Sequence, residues 1–457
     1  MRHPTRPVFF LLLALGLAAC GSSLPLSGTQ PTITAQTPLP QAHLTDWTMY
    51  HRDAQRSGYL ATFPDPGHLN HAWSATLDGA VYGEPLSVNG HVIVATEGDS
   101  LYALDARTGN PLWRTNVGTP VPQRTLPCGN IDPLGITGTP VYDPATGLVF
   151  AVAEVSGPSH VLVGVDVQTG QVKWRRVIDP PGIHVATHQQ RGALALDQNR
   201  VYITFGGLNG DCGQYQGWVI GAPTSGQGAL VTFEVPTERE GGIWAPSGPS
   251  VDGAGNLYVS VGNGAATGGT WDKTDAVLRL SPALQLLDAF APTSWPQDNA
   301  SDADLGSMGP VLLPNGWLLA DGKSGQTYLL QQNALGGVGG EQLQQNTNCR
   351  AFGGAAVVGS VAYVPCTAGV LALQVQNGPQ MTKLWQVPAA GSPVVGGHTL
   401  YTLDTSAGML VAYNAATGAQ RAAISVGAVS RFATPMLAGD AVYIGTLNGV
   451  VAIGVTA

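Results

Sequence analysis

Residues 297–305 read QDNASDADL, which sets Asp298, Asp302 and Asp304 within seven positions of one another. Carboxylates this close repel unless a cation, a proton or water comes between them. The stretch is therefore a candidate for metal binding and proton transfer, set against a solvated loop whose aspartates hydrogen-bond turn amides. Other chemical signatures fall short. His184 and His188 in HVATH have i, i+4 spacing but lack the intervening glutamate of a zinc protease, and Pro180-Pro181 upstream disfavours a helix. LNGDCG (208–213) lacks the alternating oxygen ligands of an EF-hand loop. GGLNG (206–210) and GGVGG (336–340) have no strand-to-helix context for binding dinucleotide phosphates, so they read as turns. No C-x-x-C pair offers a zinc site, and no C-x-x-C-H attaches haem.

The elements that would position such residues are strands. Apolar runs of period two recur at HVIVAT (91–96), GLVFAVA (147–153), RVYITFG (200–206), NLYVSVG (256–262), GWLLADG (316–322), SVAYVPC (360–366), TLYTLD (399–404) and AVYIGT (441–446). Such alternation marks half-buried strands. LYALDARTGNPLW (101–113) is echoed by VLVGVDVQTGQVKW (161–174) and MLVAYNAATGAQ (409–420), each with a tight turn at Thr-Gly. Eight units of about 50 residues predict an all-β, eight-bladed β-propeller, with seven blades as the alternative because the middle units are irregular. The last unit is one strand short, and HLNHAWSATL (68–77) is placed to supply it and close the ring.

The ends divide the chain further. Arg2 and Arg6 precede an apolar run over 8–17, and Leu17-Ala18-Ala19 lead into Cys20. This is the pattern of a signal peptide over 1–19, with Cys20 as the lipidated first residue of a mature lipoprotein, and the apolar run is too short for a permanent span. Residues 21–45 contain no Lys, Arg, Asp or Glu and are rich in Ser, Thr, Pro and Gln, so 20–45 reads as a lipidated cysteine and flexible tether. Residues 46–457 form the propeller, expected to be monomeric, extracytoplasmic and held at a bacterial membrane only by its lipid. The four remaining cysteines permit three pairings. CRAFGGAAVVGSVAYVPC (349–366) reads as a hairpin turning at Gly359-Ser360, which favours Cys349–Cys366 and leaves Cys128 for Cys212. A net charge of −9 with 11% charged residues provides no basic cluster for nucleic acid.

The repeat Y-x-L-D-x-x-T-G-x-x-x-W, ending at Trp113 and Trp174, resembles that of quinoprotein alcohol dehydrogenase-like propellers. WTMYHRDAQRSGYL (47–60) resembles the segment that precedes their first blade. Trp113 and Trp174 are expected to pack between blades. The middle segments QQRGALAL (189–196), GGLNGDCGQYQGWVIG (206–221), GGIWAPSGPSVD (241–252), VSVGNGAATGG (259–269) and DGKSGQTYLL (321–330) are similar to those of pyrroloquinoline quinone (PQQ) dehydrogenases, particularly poly(vinyl alcohol) dehydrogenase-like members. The resemblance implies a quinone near the ring axis, a calcium ion and an alcohol or sugar substrate. It implies Asp211, Asn263 and Asp304 as metal ligands, and Asp304 as catalytic base with Asp302 as the alternative. Trp244 would lie under the quinone and Lys323 would contact it. Hard calcium takes carboxylate and carbonyl oxygens, and planar rings stack on indole. The adjacent cysteine pair often found beside the quinone is absent from this sequence. The signal, tether and repeat equally resemble BamB-like lipoproteins, scaffolds of outer-membrane protein assembly that use no cofactor, and a degenerate quinoprotein kept for binding is a third expectation.

Overall fold

The computed structural model describes residues 31–35, 39 and 45–456. The signal peptide, Cys20 and most of the tether lie outside the described residues.

The described strands form eight sheets, each built around four antiparallel strands. Taken by their four-strand cores, seven blades run consecutively: 86–116, 141–177, 195–234, 250–291, 311–349, 356–387 and 394–425. The eighth joins Met436–Ala438, Ala441–Thr446 and Gly449–Thr456 to His68–Thr76, with His68 opposite Thr456 and Thr76 opposite Gly449. The expected closure by HLNHAWSATL is therefore present, and the blade count is eight. In most blades the first strand is short and fully buried, whereas the fourth alternates between exposed and half-buried residues, as in Pro111–Asn116 and Val172–Val177. This gradient follows from a ring whose inner strands face the axis and whose outer strands face water.

The Thr-Gly turns are explained by their own side chains. The Asp105 carboxylate accepts from the Arg107 and Thr108 amides and from the Thr108 hydroxyl, and Asp166 repeats this with Gln168 and Thr169. The glycine that follows has positive φ, +74° at Gly109 and +71° at Gly170. It also clears space for a neighbour's indole. A Cβ on Gly170 would stand 2.8 Å from Trp113, and one on Gly226 2.5 Å from Trp174. The Trp113 indole N–H donates to the Val167 carbonyl at 2.9 Å. Each tryptophan thus locks its blade onto the next, as the sequence implied.

The segment 47–60 crosses the inner strands. Carbonyls of Trp47, Thr48, Ala54, Ser57 and Gly58 accept from amides of Ser87, Tyr142, Val251, Val357 and Val395, which belong to five different inner strands. Arg56 adds bonds to the Leu194 and Pro249 carbonyls at 3.0 Å each. Inner-strand amides facing an axis need such partners, because a buried unpaired N–H is costly. The segment satisfies them and puts Tyr50 against the axial cavity.

Candidate functional site

A cavity of about 510 Å³ opens among the loops that lead into the inner strands. Asp211, Trp244, Asn263, Asp302 and Lys323 all line it. Residues up to 112 positions apart (211 to 323) thus meet in one space.

Local structure explains how each arrives. Trp244 sits on a stretch that bridges two blades: the Ile243 amide donates to Phe205, and Gly262 donates to Gly242. Its ring fits because Gly206 and Gly262 lack side chains; a Cβ there would lie 2.8 Å from the Trp244 Cβ or 3.1 Å from its indole nitrogen. The acidic stretch is not one loop. Residues Trp295–Ser301 form a helical turn, α1, with Asp298 in its first turn. Asp302 ends α1 in a left-handed conformation at φ 52°, which leaves its side chain 64% exposed. Asp304 then precedes the short 3₁₀ turn Leu305–Ser307 and is completely buried. Lys323 lies in the turn between strands Trp317–Asp321 and Gly325–Gln331, and its backbone N–H donates to the Asp304 carbonyl.

Lys323 reaches both acids. Its ammonium bonds Asp302 Oδ1 and lies 3.0 Å from Asp304 Oδ2. The same nitrogen stands 5.3 Å from the centre of the Trp244 ring, within cation–π range. Burial drives the Asp304 carboxyl up to about 6, an effect that Lys323 only partly offsets. Burial by itself would lower the Lys323 ammonium, but Asp304 and Asp302 outweigh it and hold the group above its ordinary range. Asp302 lines the cavity, whereas Asp304 lies behind Lys323, and neither of its buried oxygens has a hydrogen-bond partner among the described residues.

Of the remaining expected ligands, one Asp211 oxygen and the Asn263 amide nitrogen have protein partners. Asp211 accepts from the Tyr215 hydroxyl at 2.6 Å. Asn263 turns its amide nitrogen towards Glu240 at 3.5 Å, and Glu240 in turn pairs with Arg239 at 2.9 Å. Among the described residues, no group of three or more His, Cys, Asp and Glu side chains gathers to hold a metal.

The structure adds residues that sequence reasoning missed. Arg191, Arg350 and Arg431 line the same cavity, so with Lys323 it holds four of the chain's 20 Lys and Arg residues. Phe352 and Phe432 approach Trp244 at 6.4 Å between ring centres. The Arg431 guanidinium lies 3.8 Å from the centre of Phe352, and Arg191 lies 5.7 Å from that of Phe432. The available signal was an arginine four to six residues before a blade's first strand: Arg191 before Ala195, Arg350 before Ala356 and Arg431 before Met436. Both expected disulfides, Cys128–Cys212 and Cys349–Cys366, are present. The first ties the Asn130–Ile131 rim to the Asp211 rim, and the second anchors the loop that carries Arg350 and Phe352.

Comparison with known proteins agrees with this architecture. Residues 69–216 match the PQQ_2 family model, described as outer membrane protein assembly factor BamB. The dehydrogenase subunit of a quinone-type alcohol dehydrogenase from Gluconobacter oxydans is 28% identical over 210 residues, 42% of this chain and 26% of that protein. BamB from Nitrosomonas eutropha is 27% identical over 149 residues, 32% of each protein. The matched stretches thus span about a quarter to a third of these curated relatives. Among solved structures, a quinohemoprotein alcohol dehydrogenase from Pseudomonas putida superposes over 90% of this chain and 81% of its own with a TM-score of 0.68 at 15% identity, a likeness of fold. The chain is an eight-bladed β-propeller whose residues 69–216 match the PQQ_2 repeat family, and it is similar in sequence both to a quinoprotein dehydrogenase and to BamB.

Proposed function

We propose that the axial cavity binds a planar, anionic quinone of the PQQ class and that the protein is an extracytoplasmic, lipid-anchored dehydrogenase of alcohols or sugars. One observation carries the reading: in a chain of net charge −9, four cations face a single cavity together with the rings of Trp244, Phe352 and Phe432. Asp302 and Asp304 pair with Lys323, and Glu84 and Asp211 also line the space, but Arg191, Arg350 and Arg431 have no salt-bridge partner among the described residues, which leaves guanidinium charge for an anion. A flat polycarboxylate answers both features, stacking on indole and pairing with guanidinium groups.

The residues fit such a ring. Trp244 would supply its floor, and Arg191, Arg350 and Arg431 would pair with its carboxylates. When bound, the quinone supplies a two-electron acceptor for hydride from a carbinol carbon. Lys323 offers its ammonium to an oxygen of the ring and would steady negative charge there. Of the two aspartates beside Lys323, Asp302 is the one that lines the cavity, so it takes the hydroxyl proton, the role expected of Asp304 with Asp302 as the alternative. Asp304 acts through Lys323, as a positioning residue.

The test is a titration of purified protein with PQQ, followed by tryptophan quenching and dye-linked oxidation of short alcohols and sugars. Saturable quenching at micromolar quinone, weakened at least ~10-fold in Trp244→Ala or Arg431→Ala, supports the reading. No quenching removes it and leaves the BamB-like scaffold, which the family match over 69–216 favours. The calcium expected from the resemblance is not part of this proposal, because the Lys323 ammonium stands against Asp302 and Asp304, and Asp211 holds the Tyr215 hydroxyl.

A further inference from the structure

We infer that the axial site works without a divalent cation, with the Lys323 ammonium supplying the positive charge; this rests on the quinone-binding reading above. Three independent observations converge on it. First, Lys323 already occupies the carboxylates. It bonds Asp302, stands 3.0 Å from Asp304 Oδ2 and is only 12% exposed, so it is built into the wall rather than hanging in solvent. Second, its placement is fixed by the backbone. The Lys323 amide donates to Asp304, and the Lys323 carbonyl accepts from Arg350 Nε at 3.0 Å. Third, the other expected ligands are partly engaged within the protein, one oxygen of Asp211 and the amide nitrogen of Asn263 having partners. Asp211 holds the Tyr215 hydroxyl at 2.6 Å, and Glu240, which faces Asn263, is paired with Arg239.

Calcium requires about six to eight oxygens at roughly 2.3–2.6 Å. An ion bound to Asp304 would sit a few ångströms from the Lys323 ammonium, and like charges at that separation repel. The donor set therefore does not fit the ion. It does fit a lysine that delivers one charge to the ligand. It hydrogen-bonds Asp302 and faces Asp304 Oδ2 as an ion pair at 3.0 Å, and no other protein acceptor takes its protons among the described residues. That nitrogen also lies 5.3 Å from the Trp244 ring centre, near where the edge of a stacked ligand would fall.

The experiment has two parts on the purified full-length protein. Calcium is titrated calorimetrically into protein free of quinone. PQQ affinity is then measured by tryptophan quenching with calcium and with EDTA, on wild type, Lys323→Met and Lys323→Arg, with far-ultraviolet circular dichroism as the check on folding. The inference predicts no stoichiometric calcium uptake below ~1 mM. It predicts quinone affinity equal within about two-fold in calcium and EDTA, a loss of at least ~10-fold in Lys323→Met, and partial recovery in Lys323→Arg. Saturable uptake of one calcium that disappears in Asp304→Asn would overturn it, as would quinone binding that requires calcium. If PQQ binds under neither condition, the quinone reading fails, and the calcium titration alone still decides whether the site takes the ion.

Discussion

At the scale of the residue, two aspartates two positions apart have different fates. Asp302 caps a helical turn and faces the cavity, while Asp304 is buried beneath Lys323. Asp302→Asn is expected to lower turnover by about 10²–10⁴-fold while leaving quinone affinity nearly intact, because a general base is lost but no ligand contact. Asp304→Asn should instead weaken quinone binding, since Lys323 loses its buried partner. Steady-state kinetics beside fluorescence titration separates the two patterns. The sequence brought out the acidic stretch, Trp244 and Lys323 because each lies in an irregular segment between regular repeats. It could not order Asp302 and Asp304, since the sharp left-handed turn at Asp302 itself, φ 52°, has no glycine to announce it. Arg191, Arg350 and Arg431 escaped notice because their convergence depends on the ring bringing three distant loops together.

Elements carry the packing and the pH response. Trp113 stacks over Gly170 of the next blade, so Trp113→Ala should destabilise by about 2–4 kcal/mol, measured by chemical denaturation. Gly170→Ala should also destabilise, because the added methyl would strike the indole at a positive φ. The repeat motif made this contact readable in sequence, since aspartate, threonine, glycine and tryptophan keep fixed offsets. Buried acids between the first two blades were not readable, since each looks like an ordinary turn or strand residue. Glu97 accepts from the Gly135 amide at 2.7 Å and the Thr137 hydroxyl at 2.8 Å, and Glu154 accepts from the Gln190 amide at 2.7 Å. Burial, followed by repulsion from neighbouring carboxylates, pushes Glu97 and Asp99 up to about 8, and burial pushes Glu154 to about 7. Between roughly pH 4 and 8 the folded chain therefore binds more protons than the unfolded chain, so these groups cost stability as pH rises. Thermal midpoints should fall from pH 5 to pH 8.5, and Glu97→Gln should flatten that fall with little effect at pH 5. A midpoint that climbs over this range would contradict the assignment.

The whole molecule is a closed ring with a strap across its axis. His68–Thr76 completes the last blade, and 47–60 binds the inner strands of several others. A chain truncated before Asp78 should lose both, expose a strand edge and aggregate rather than elute as a monomer in size-exclusion chromatography. The ring was legible from the count of repeats and the missing last strand, whereas the strap was recognisable only as a resemblance, because its bonds are made by backbone carbonyls that any residues could present. The central claim is that this ring gathers Trp244, Phe352, Phe432 and four cations to hold a flat anion at its mouth. Crystals of the protein grown with PQQ test it most directly. The account predicts difference density for one planar ring on the Trp244 face, with its carboxylates against Arg191, Arg350 or Arg431 and Lys323 at its edge. Saturating quinone that leaves this cavity filled only with solvent would contradict it.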